Sequence, residues 1–496
     1  MKIIKNIILS LLLFLTIVLL VHCQKSTSPA APNMPPTTTI YNVPSAGDTV
    51  FALVDLSWDG GDSDGFIKGY QYRYITYFSW DMQDSVFSDS VAQEWTFIDT
   101  TQQTIAFNSA QYLNLQRFQV RAVDNNDEVD PEPAEKIFFT TQTIPPQIEI
   151  LAPQNKCESF ALDHTTDWWE GIELSFEGSD ADGEILEYGY SIDGQEWNWI
   201  EDTTLFITPD EFREPLNGEH TIHVNARDNT FIINPTPDSV KIKLVVPTFD
   251  KDILIIDETS EPDFPNSVKT TDAAVDSFYA DLFGTNPEDS WDYLWHAART
   301  VDNLPSYEYI GQYKTVIWHA DNRPTSGPHA LANHVNYIKN YMNVGGNFVM
   351  SGWRILKSFA WDTDFPVTFE DTSFVKQYLH IERADETPYW PGDLVGADGM
   401  KGFSDIDVDS TKLATFPFDG KLSVVNVMLR RSGFTDILYS YRNDQSSNLL
   451  EYRGKACGLL YTGTSFNAII LGFPMYFIKE EDAQIMAQEI LDVINY

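Results

Sequence analysis

The chain has 496 residues, of which 32 are Lys or Arg and 73 are Asp or Glu, so its formal net charge is −41. This charge excludes nucleic acid as the main partner, because nucleic acid binds basic surfaces. Three cysteines are too few for a disulfide scaffold. An apolar share of 43 % is ample for packed cores, and the length predicts about three domains.

Residues 1–22 have the pattern of a signal peptide. Two lysines precede an apolar run over residues 7–21, which is shorter than the ~20 residues of a membrane-spanning helix. The run ends in Leu20-Val21-His22-Cys23, which resembles the lipobox of bacterial lipoproteins, with His22 in place of the usual small residue. The resemblance implies that Cys23 is lipidated and becomes the first residue of the mature chain. The alternative is an uncleaved signal anchor.

Residues 23–39 comprise this cysteine and a tether, residues 24–39, that is rich in Pro, Ser, Thr and Ala and has no apolar periodicity. Such a segment stays extended, at ~3.1 Å per residue where it adopts polyproline II, and suits a tether. We therefore expect the folded part to be extracytoplasmic and anchored to a bacterial membrane, most simply the outer membrane or the cell surface.

An internal repeat organises the first half of the chain. Residues 58–67 recur at 176–185 with an offset of 118, and residues 120–125 recur at 224–229 with an offset of 104. The first copy thus carries 14 extra residues, most simply placed around 76–90. Short segments of period-two alternation in each copy predict two β-sandwiches, at residues 40–144 and 145–247.

Both copies resemble fibronectin type III or related immunoglobulin-like domains. The resemblance depends on an early-strand Trp58 or Phe176, a D-x-D-G turn, a Y-x-Y strand and the segment around Arg121. It implies a fold that serves as spacer, binder or chaperone, and it leaves the function open.

The aspartates of each copy also predict a calcium site. In the expected topology, the D-x-D-G turn and the loop before the last strand emerge at one end of the sandwich, and Ca²⁺ takes six to eight oxygen ligands. The alternative is that Asp and Gly stand there only because they favour turns. The predicted ligands are Asp62, Asp64, Asp124 and Asp127 in the first copy, and Asp180, Asp182 and Asp228 in the second.

From residue 251 onward the pattern changes to alternating strands and helices. Apolar runs predict strands at 252–257, 313–319, 347–350, 457–461 and 468–472, and helical spacing predicts helices at 271–283, 328–343 and 479–494. This alternation predicts that residues 251–496 form an α/β three-layer, doubly wound domain.

The order and spacing of these segments resemble the class I glutamine amidotransferase-like fold. Members with that activity carry a cysteine on the turn after a central strand and a His-x-Glu pair after a late strand. The matching turn here is Ser351-Gly352-Trp353, and the late strand ends in Gly472-Phe473-Pro474-Met475. The resemblance therefore implies that the amidotransfer chemistry is absent. Cys457 begins another strand, is predicted to be a core residue, and is not expected to pair with Cys157.

Other residues at the ends of these strands carry an alternative prediction. Ser351, His319 and Asp321 could form a serine-based catalytic group, or could simply be polar residues of tight turns. A ligand cleft at the same edge would include Asp257, Glu258, His319, Trp353 and Arg354. A sugar-binding groove would use Trp318, Trp353, Trp361 and Trp390, unless these residues belong to the core.

These observations predict a non-catalytic, lipid-anchored envelope protein. Its two sandwiches would form a stalk, and an inactive amidotransferase-like domain would bind another protein or a glycan. The alternative is an extracytoplasmic hydrolase or carbohydrate-active enzyme that uses the strand-end cleft. A third interpretation is a purely structural component of the envelope.

Overall fold

The computed structural model describes residues 32–81, 86–259, 271–293, 303–322, 327–389, 393–413, 419–444 and 450–494. The predicted signal peptide, Cys23, residues 24–31 of the tether and Trp390 lie outside the described residues. Within them, 45 % of residues are in strands and 15 % in helices, so the chain is mainly β. No helix in these ranges is both long and apolar enough to cross a membrane.

Contacts divide the chain into two compact units. One contains the residues up to Gln147 together with Gly178–Glu187 and Ala226–Pro235, and the other contains Ile148–Glu177, Tyr188–Asn225 and Thr236–Tyr496. The repeated aspartate loops of both sandwiches therefore belong to the first unit.

The first sandwich is formed by strands β1–β9 in two sheets. One sheet has the order β1-β3-β7; the other has the order β2-β9-β8-β4-β5, with β6 also paired to β4. Side chains that alternate along β3, β4 and β8 meet between the sheets, among them Trp58, Tyr70 and Phe118. The strands are Thr37–Asn42, Thr49–Phe51, Leu53–Gly61, Ile67–Asp81, Val86–Ala92, Thr96–Ile98, Gln102–Ala106, Leu113–Asp124 and Ala134–Thr141.

The second sandwich is formed by strands β10–β17, in sheets of order β10-β12-β15 and β11-β17-β16-β13-β14. Its strand β13 has 8 residues, whereas the matching β4 has 15 and continues into a hairpin with β5. This hairpin is where the sequence places the 14 extra residues of the first copy. The strands are Gln147–Ala152, Cys157–Phe160, Ile172–Ser179, Ile185–Ile192, Asn198–Ile200, Thr204–Ile207, Gly218–Asp228 and Asp238–Val245.

The C-terminal region contains a sheet of twelve strands, β18–β29, within the described residues. Its order is β19-β18-β20-β21-β29-β28-β26-β23-β22, and β24, β25 and β27 join it beside β28. The strands are Lys251–Asp257, Ser290–Asp292, Tyr313–Ala320, Asn347–Gly352, Val367–Thr368, Ile381–Glu386, Leu394–Gly399, Ile406–Asp407, Asn426–Arg430, Thr435–Asn443, Ala456–Thr462 and Asn467–Leu471.

Five described α-helices accompany this sheet: α1 is Asp272–Phe283, α2 is Tyr307–Ile310, α3 is Val335–Asn343, α4 is Phe374–Gln377 and α5 is Glu480–Ile494. Short 3₁₀ turns are Pro209–Glu211, Pro287–Asp289, Ala330–Asn333, Lys357–Ala360 and Met475–Phe477. The helix predicted at 328–343 begins only at Val335, because His334 has non-helical backbone angles and separates a 3₁₀ turn from α3.

The two predicted β-sandwiches are confirmed, but the predicted doubly wound α/β domain is wrong. Among the described strands of the C-terminal sheet, parallel pairing connects only β19, β18, β20, β21 and β29, whose predicted members are buried apolar runs. The other seven strands pair antiparallel, and most of them lie between residues 367 and 443, where no strands were predicted. The region is therefore a mixed, mainly antiparallel sheet with few helices.

Candidate functional site

The strand ends predicted to form a catalytic group lie in the protein interior. His319 and Ser351 are neighbours on β20 and β21, and Asp321 follows β20. All three residues are 0 % exposed, and Asp257 at the end of β18 is 2 % exposed. The structure brings these residues together and buries their side chains.

His319 is held as a neutral imidazole. Its Nδ1 lies 3.3 Å from the Thr259 hydroxyl and 3.4 Å from an Asp257 carboxylate oxygen. The ring of Tyr279 stacks on the imidazole, with centroids 3.6 Å apart and planes within 6°. Burial lowers the pKa of His319 to about 3, although the charges of nearby carboxylates act in the opposite direction.

Ser351 and Asp321 both form hydrogen bonds with the segment that follows β29, and Asp321 also bonds to Tyr279 on α1. The Ser351 hydroxyl donates to the Phe473 carbonyl at 3.1 Å and accepts from the Met475 amide at 3.2 Å. Asp321 accepts from the Tyr279 hydroxyl and the Tyr476 amide, both at 3.3 Å, and burial raises its pKa to about 8. Among the described residues no hydrogen bond joins Ser351 to His319, so the geometry does not assemble a nucleophile and base.

A second carboxylate, Asp276 on α1, hydrogen-bonds to Asp257. Burial raises the pKa of Asp257 to about 6. Burial and the adjacent Asp257 carboxylate raise the pKa of Asp276 to about 7. Two carboxyl groups in contact favour sharing one proton, so the pair carries a single negative charge instead of two.

The remaining residues of the predicted ligand cleft also serve the packing. Glu258 accepts from the Trp318 indole at 2.9 Å and from the Leu331 amide at 3.2 Å, and it pairs with His329. Burial alone would raise the pKa of Glu258, but the bonds from His329, Ala330 and Trp318 lower it overall. Trp318 and Trp353 are fully buried, so neither contributes a ring to a sugar groove.

Arg354 is a strained position in the turn that follows β21. Its φ is 61°, in the left-handed region that costs non-glycine residues energy. Its guanidinium forms two hydrogen bonds with Glu386, at 2.7 and 3.1 Å, and lies over the Trp361 ring. The turn therefore presents an ion-paired arginine, whereas Ser351 faces the interior.

The aspartates predicted to bind calcium in the first sandwich accept hydrogen bonds from nearby backbone. Asp64 accepts from the Met34 amide at 3.1 Å, and Asp62 accepts from the Asp64 amide at 3.1 Å. Asp124 accepts from the amides of residues 126 and 128, both at 2.8 Å, and from the Asn33 side chain. Asp127 pairs with Lys68.

The second sandwich repeats this arrangement. Asp182 accepts from the Ile144 amide at 3.2 Å, and Asp180 accepts from the Asp182 and Gly183 amides at 3.0 and 2.7 Å. Asp228 accepts from the amides of residues 230 and 232 at 2.9 and 2.8 Å, and from the Thr143 hydroxyl at 3.1 Å. In both copies, these loops hold the segment that enters the first strand of the sandwich.

The described residues contain no group of three or more His, Cys, Asp or Glu side chains arranged to hold a metal ion. Three buried oxygens of these loops nevertheless have no hydrogen-bond partner there: Asp62 Oδ2, Asp180 Oδ2 and Asn229 Oδ1. Calcium binding by these aspartates therefore stays a prediction.

The structure shows a cavity that sequence reasoning missed. It has a volume of ≈ 590 Å³ and lies in the second unit, where the loop between β11 and β12 faces the ends of α3 and α4. The indole of Trp168 packs against Tyr378, with centroids 5.0 Å apart. The amide and carboxylate side chains that line the cavity are Asn340, Asn343, Gln377, Asp167, Glu170 and Glu173.

Local hydrogen bonds position the aromatic wall of the cavity. The Thr166 hydroxyl accepts from the amides of Trp168 and Trp169, and the Thr166 amide donates to the Trp169 carbonyl at 2.8 Å. The Tyr378 hydroxyl donates to Asn343 at 2.8 Å. The sequence signal for this wall is two adjacent tryptophans in an otherwise polar loop, a pattern that strand periodicity does not reveal.

Comparison with known proteins does not identify a family for this chain. A scan against protein families finds no match, and a search of curated proteins finds no relative. Among solved structures, similarity is found to fibronectin(III)-like modules of Clostridium thermocellum CbhA, at 18 % identity over 42 % of this chain and 94 % of that one, with a TM-score of 0.19.

Two bacterial adhesin structures give comparable values. A Ca²⁺-stabilised ice-binding adhesin of an Antarctic bacterium is 11 % identical over 46 % of this chain and 55 % of that one, with a TM-score of 0.18. A structure of a 1.5-MDa bacterial ice-binding adhesin is 10 % identical over 48 % of this chain and 71 % of that one, with a TM-score of 0.17. TM-scores this low carry no argument, so the description of the fold depends on the sheets themselves.

Proposed function

We propose that this chain is a non-catalytic binding protein of the bacterial cell envelope, anchored by a lipid on Cys23 and displayed on a β-sandwich stalk. The cavity beside Trp168 would be its ligand site. That cavity is the single observation that carries the proposal, because the other concentration of chemically capable residues, at the strand ends, is buried and internally hydrogen-bonded.

The cavity lining favours a neutral glycan as ligand. Aromatic rings present apolar faces to sugar rings, and amide and carboxylate groups hydrogen-bond to sugar hydroxyls. The lining contains both kinds of group, and three of its side chains are carboxylates, which disfavours an anionic ligand.

Calorimetry on the full mature chain tests this proposal. Neutral hexasaccharides of glucose, xylose and galactose in different linkages are the probes. We expect at least one to bind, and Trp168→Ala and Asn340→Ala to weaken that binding by roughly tenfold or more. Asn333→Ala is the matched control, since this exposed amide lies in the neighbouring 3₁₀ turn and does not line the cavity.

Binding that persists unchanged in both cavity variants, or no binding by any probe, would contradict the assignment. Melting temperatures of the variants show whether each is folded, which matters for Trp168 because it also packs on Phe466. Lipid anchoring is tested separately with Cys23→Ser. This variant should lose incorporation of labelled fatty acid and leave the membrane fraction, whereas Cys157→Ser should retain both.

A further inference from the structure

Three arginines share the outer face of the larger sheet of the first sandwich. Arg73 lies on β4, and Arg117 and Arg121 lie on β8, its neighbour in the sheet. Residues that alternate with them, such as Tyr74 and Phe118, point into the core. Because side chains alternate between faces along a strand, the arginines lie on the opposite side of the sheet. We call Arg73, Arg117, Arg121 and the adjoining Trp95 the arginine face.

Aromatic rings and neutral amides hold these guanidinium groups in place. Those of Arg73 and Arg121 lie 4.5 and 4.1 Å from the centre of the Trp95 ring. Arg73 donates to Gln119 at 2.8 Å, and Arg121 donates twice to Gln71, at 2.9 and 2.7 Å. The Arg117 guanidinium lies over the rings of Tyr77 and Phe87, at 5.7 and 5.5 Å.

None of the three arginines forms an ion pair with a carboxylate in the part of the chain that the structure describes. The Glu135 carboxylate on β9 bonds to Gln119 instead, at 2.8 Å. Burial and the positive charge of Arg73 lower the pKa of Arg121. The face thus concentrates positive charge that is not in direct contact with a carboxylate among the described residues, in a chain whose formal charge is −41.

The sandwich fold itself does not require these arginines. In the second copy, the positions that correspond to Arg73, Arg117 and Arg121 by the repeat offsets are Ser191, Thr221 and Asn225. That copy builds the same sheet without a guanidinium at any of the three positions. The arginine face is therefore a property of the first sandwich alone.

A half-exposed aromatic ring borders the face. Phe97 is 50 % exposed and lies opposite Gln71 in the pairing of β6 with β4. Its ring rests on Gly69, where an added Cβ would come within 2.4 Å of the ring. Glycine at this position thus leaves room for the ring beside β4, the strand that carries Arg73.

We propose that the arginine face binds an anionic polysaccharide. Preoriented guanidinium groups form paired hydrogen bonds with carboxylate or sulfate groups, and a flat aromatic ring stacks on sugar rings. Nucleic acid is the less favoured polyanion, because its dense phosphate charge is repelled by the acidic remainder of the chain. This site is distinct from the cavity beside Trp168, and it can fail or succeed independently of that assignment.

Calorimetry with the full mature chain and polygalacturonate, at low and moderate salt, tests the proposal. We expect binding that weakens as salt rises and no comparable binding of uncharged amylose. The double variant Arg73→Gln/Arg121→Gln should weaken binding by about tenfold or more. The control Arg227→Gln/Lys243→Gln removes the same charge from ion-paired sites in the second sandwich and should change binding by about twofold at most.

Two further variants separate recognition from folding and from simple charge. Arg73→Lys/Arg121→Lys keeps the charge but loses the planar fork, so it should recover only part of the affinity. Phe97→Ala removes an exposed ring and should weaken binding without lowering the melting temperature. Equal binding by the glutamine variant and the control, or binding of single-stranded DNA as tight as that of polygalacturonate, would overturn the proposal.

Discussion

In each sandwich, an aspartate at the end of a long strand accepts backbone amides two and four residues further along the chain: Asp124 in the first and Asp228 in the second. Both loops also place the residue three positions after the aspartate in the left-handed region. Asp127 and Phe231 each have a φ of 67°. A phenylalanine tolerates that conformation only where the surrounding hydrogen bonds define the loop.

Whereas these loops are alike in the two sandwiches, the side chains on the outer faces of their larger sheets differ. The first copy carries three guanidinium groups where the second has hydroxyl and amide side chains. The loops are constrained because buried backbone groups must be hydrogen-bonded, whereas strand pairing does not fix which side chains stand on the outer face of the sheet. This comparison indicates that the repeated aspartates are needed to form the fold. The outer-face side chains, which differ between the copies, are the better guide to function.

The largest expected effect is that of Asp228→Ala. This side chain accepts four hydrogen bonds, including both hydroxyls of Thr143 and Thr230, and its loss leaves buried donors unsatisfied. We expect the free energy of unfolding to fall by about 3 kcal/mol, measured by urea denaturation. Asp202→Ala, at an exposed position of the same sandwich, is the control. An equal free energy of unfolding for both variants would show that the Asp228 loop does not stabilise the sandwich.

Calcium tests whether the same loops also bind a cation. With a dissociation constant of ~1 mM, 5 mM Ca²⁺ should stabilise a sandwich by about 1 kcal/mol. The second copy offers two unpartnered oxygens, on Asp180 and Asn229, and the first offers one, on Asp62. We therefore expect Asp180→Asn to reduce the stabilisation more than Asp62→Asn does. A melting temperature that does not respond to Ca²⁺ would contradict the calcium prediction, and Mg²⁺ serves as the matched ion.

A smaller effect is expected at the segments that enter the sandwiches. Asp64 and Asp182 accept the amides of Met34 and Ile144, respectively. Replacing either aspartate by alanine should cost about 0.5–1 kcal/mol and accelerate exchange of the one amide concerned. Hydrogen exchange of both variants measures this. The two loops would not be equivalent if only one amide responded.

The smallest expected effect is on pH dependence, and it has opposite signs in the two copies. The hydrogen bond from Asn33 lowers the pKa of Asp124, so its stabilising contribution is present above the ordinary aspartate pKa and declines as pH falls. Burial raises the pKa of Asp228, so its contribution is fullest at acid pH and declines as pH rises through the folded value.

Asparagine variants separate these two contributions. Asp228→Asn keeps the acceptor for the loop amides and should be well tolerated at neutral pH. Asp124→Asn places an amide donor against the Asn33 amide and should lower the melting temperature. The difference in melting temperature between each variant and the wild type, measured from about pH 2 to about pH 7, provides the comparison. Differences that change with pH in the same direction would refute the assigned signs.

The sequence could predict the strands but not every way in which they pair. Apolar runs at 252–257 and 313–319 become β18 and β20, and the helix at 271–283 becomes α1. Strands such as Asn426–Arg430 and Thr435–Asn443 were not predicted, and their antiparallel pairing changes the fold class. Strand direction depends on contacts between distant segments, so local periodicity does not report it.

The candidate sites likewise depend partly on local sequence and partly on contacts between distant segments. His319 and Ser351 lie opposite each other at the ends of adjacent strands, since parallel strands end at one edge of a sheet. Their burial was not predictable, because it is imposed by Tyr279 and by the residues that follow β29. The cavity beside Trp168 was missed because its two walls lie about 200 residues apart in the chain.

The sequence by itself determined the repeat, the two sandwiches, the position of the insertion and the acidic charge. These features follow from composition, from side-chain alternation and from turn residues, which act over a few neighbouring positions. Only the tertiary structure decided that Ser351 and His319 are sealed, that the C-terminal sheet is mixed and that three arginines share one face. Burial and strand pairing at these positions depend on contacts between segments far apart in the chain, so a local sequence pattern does not predict them.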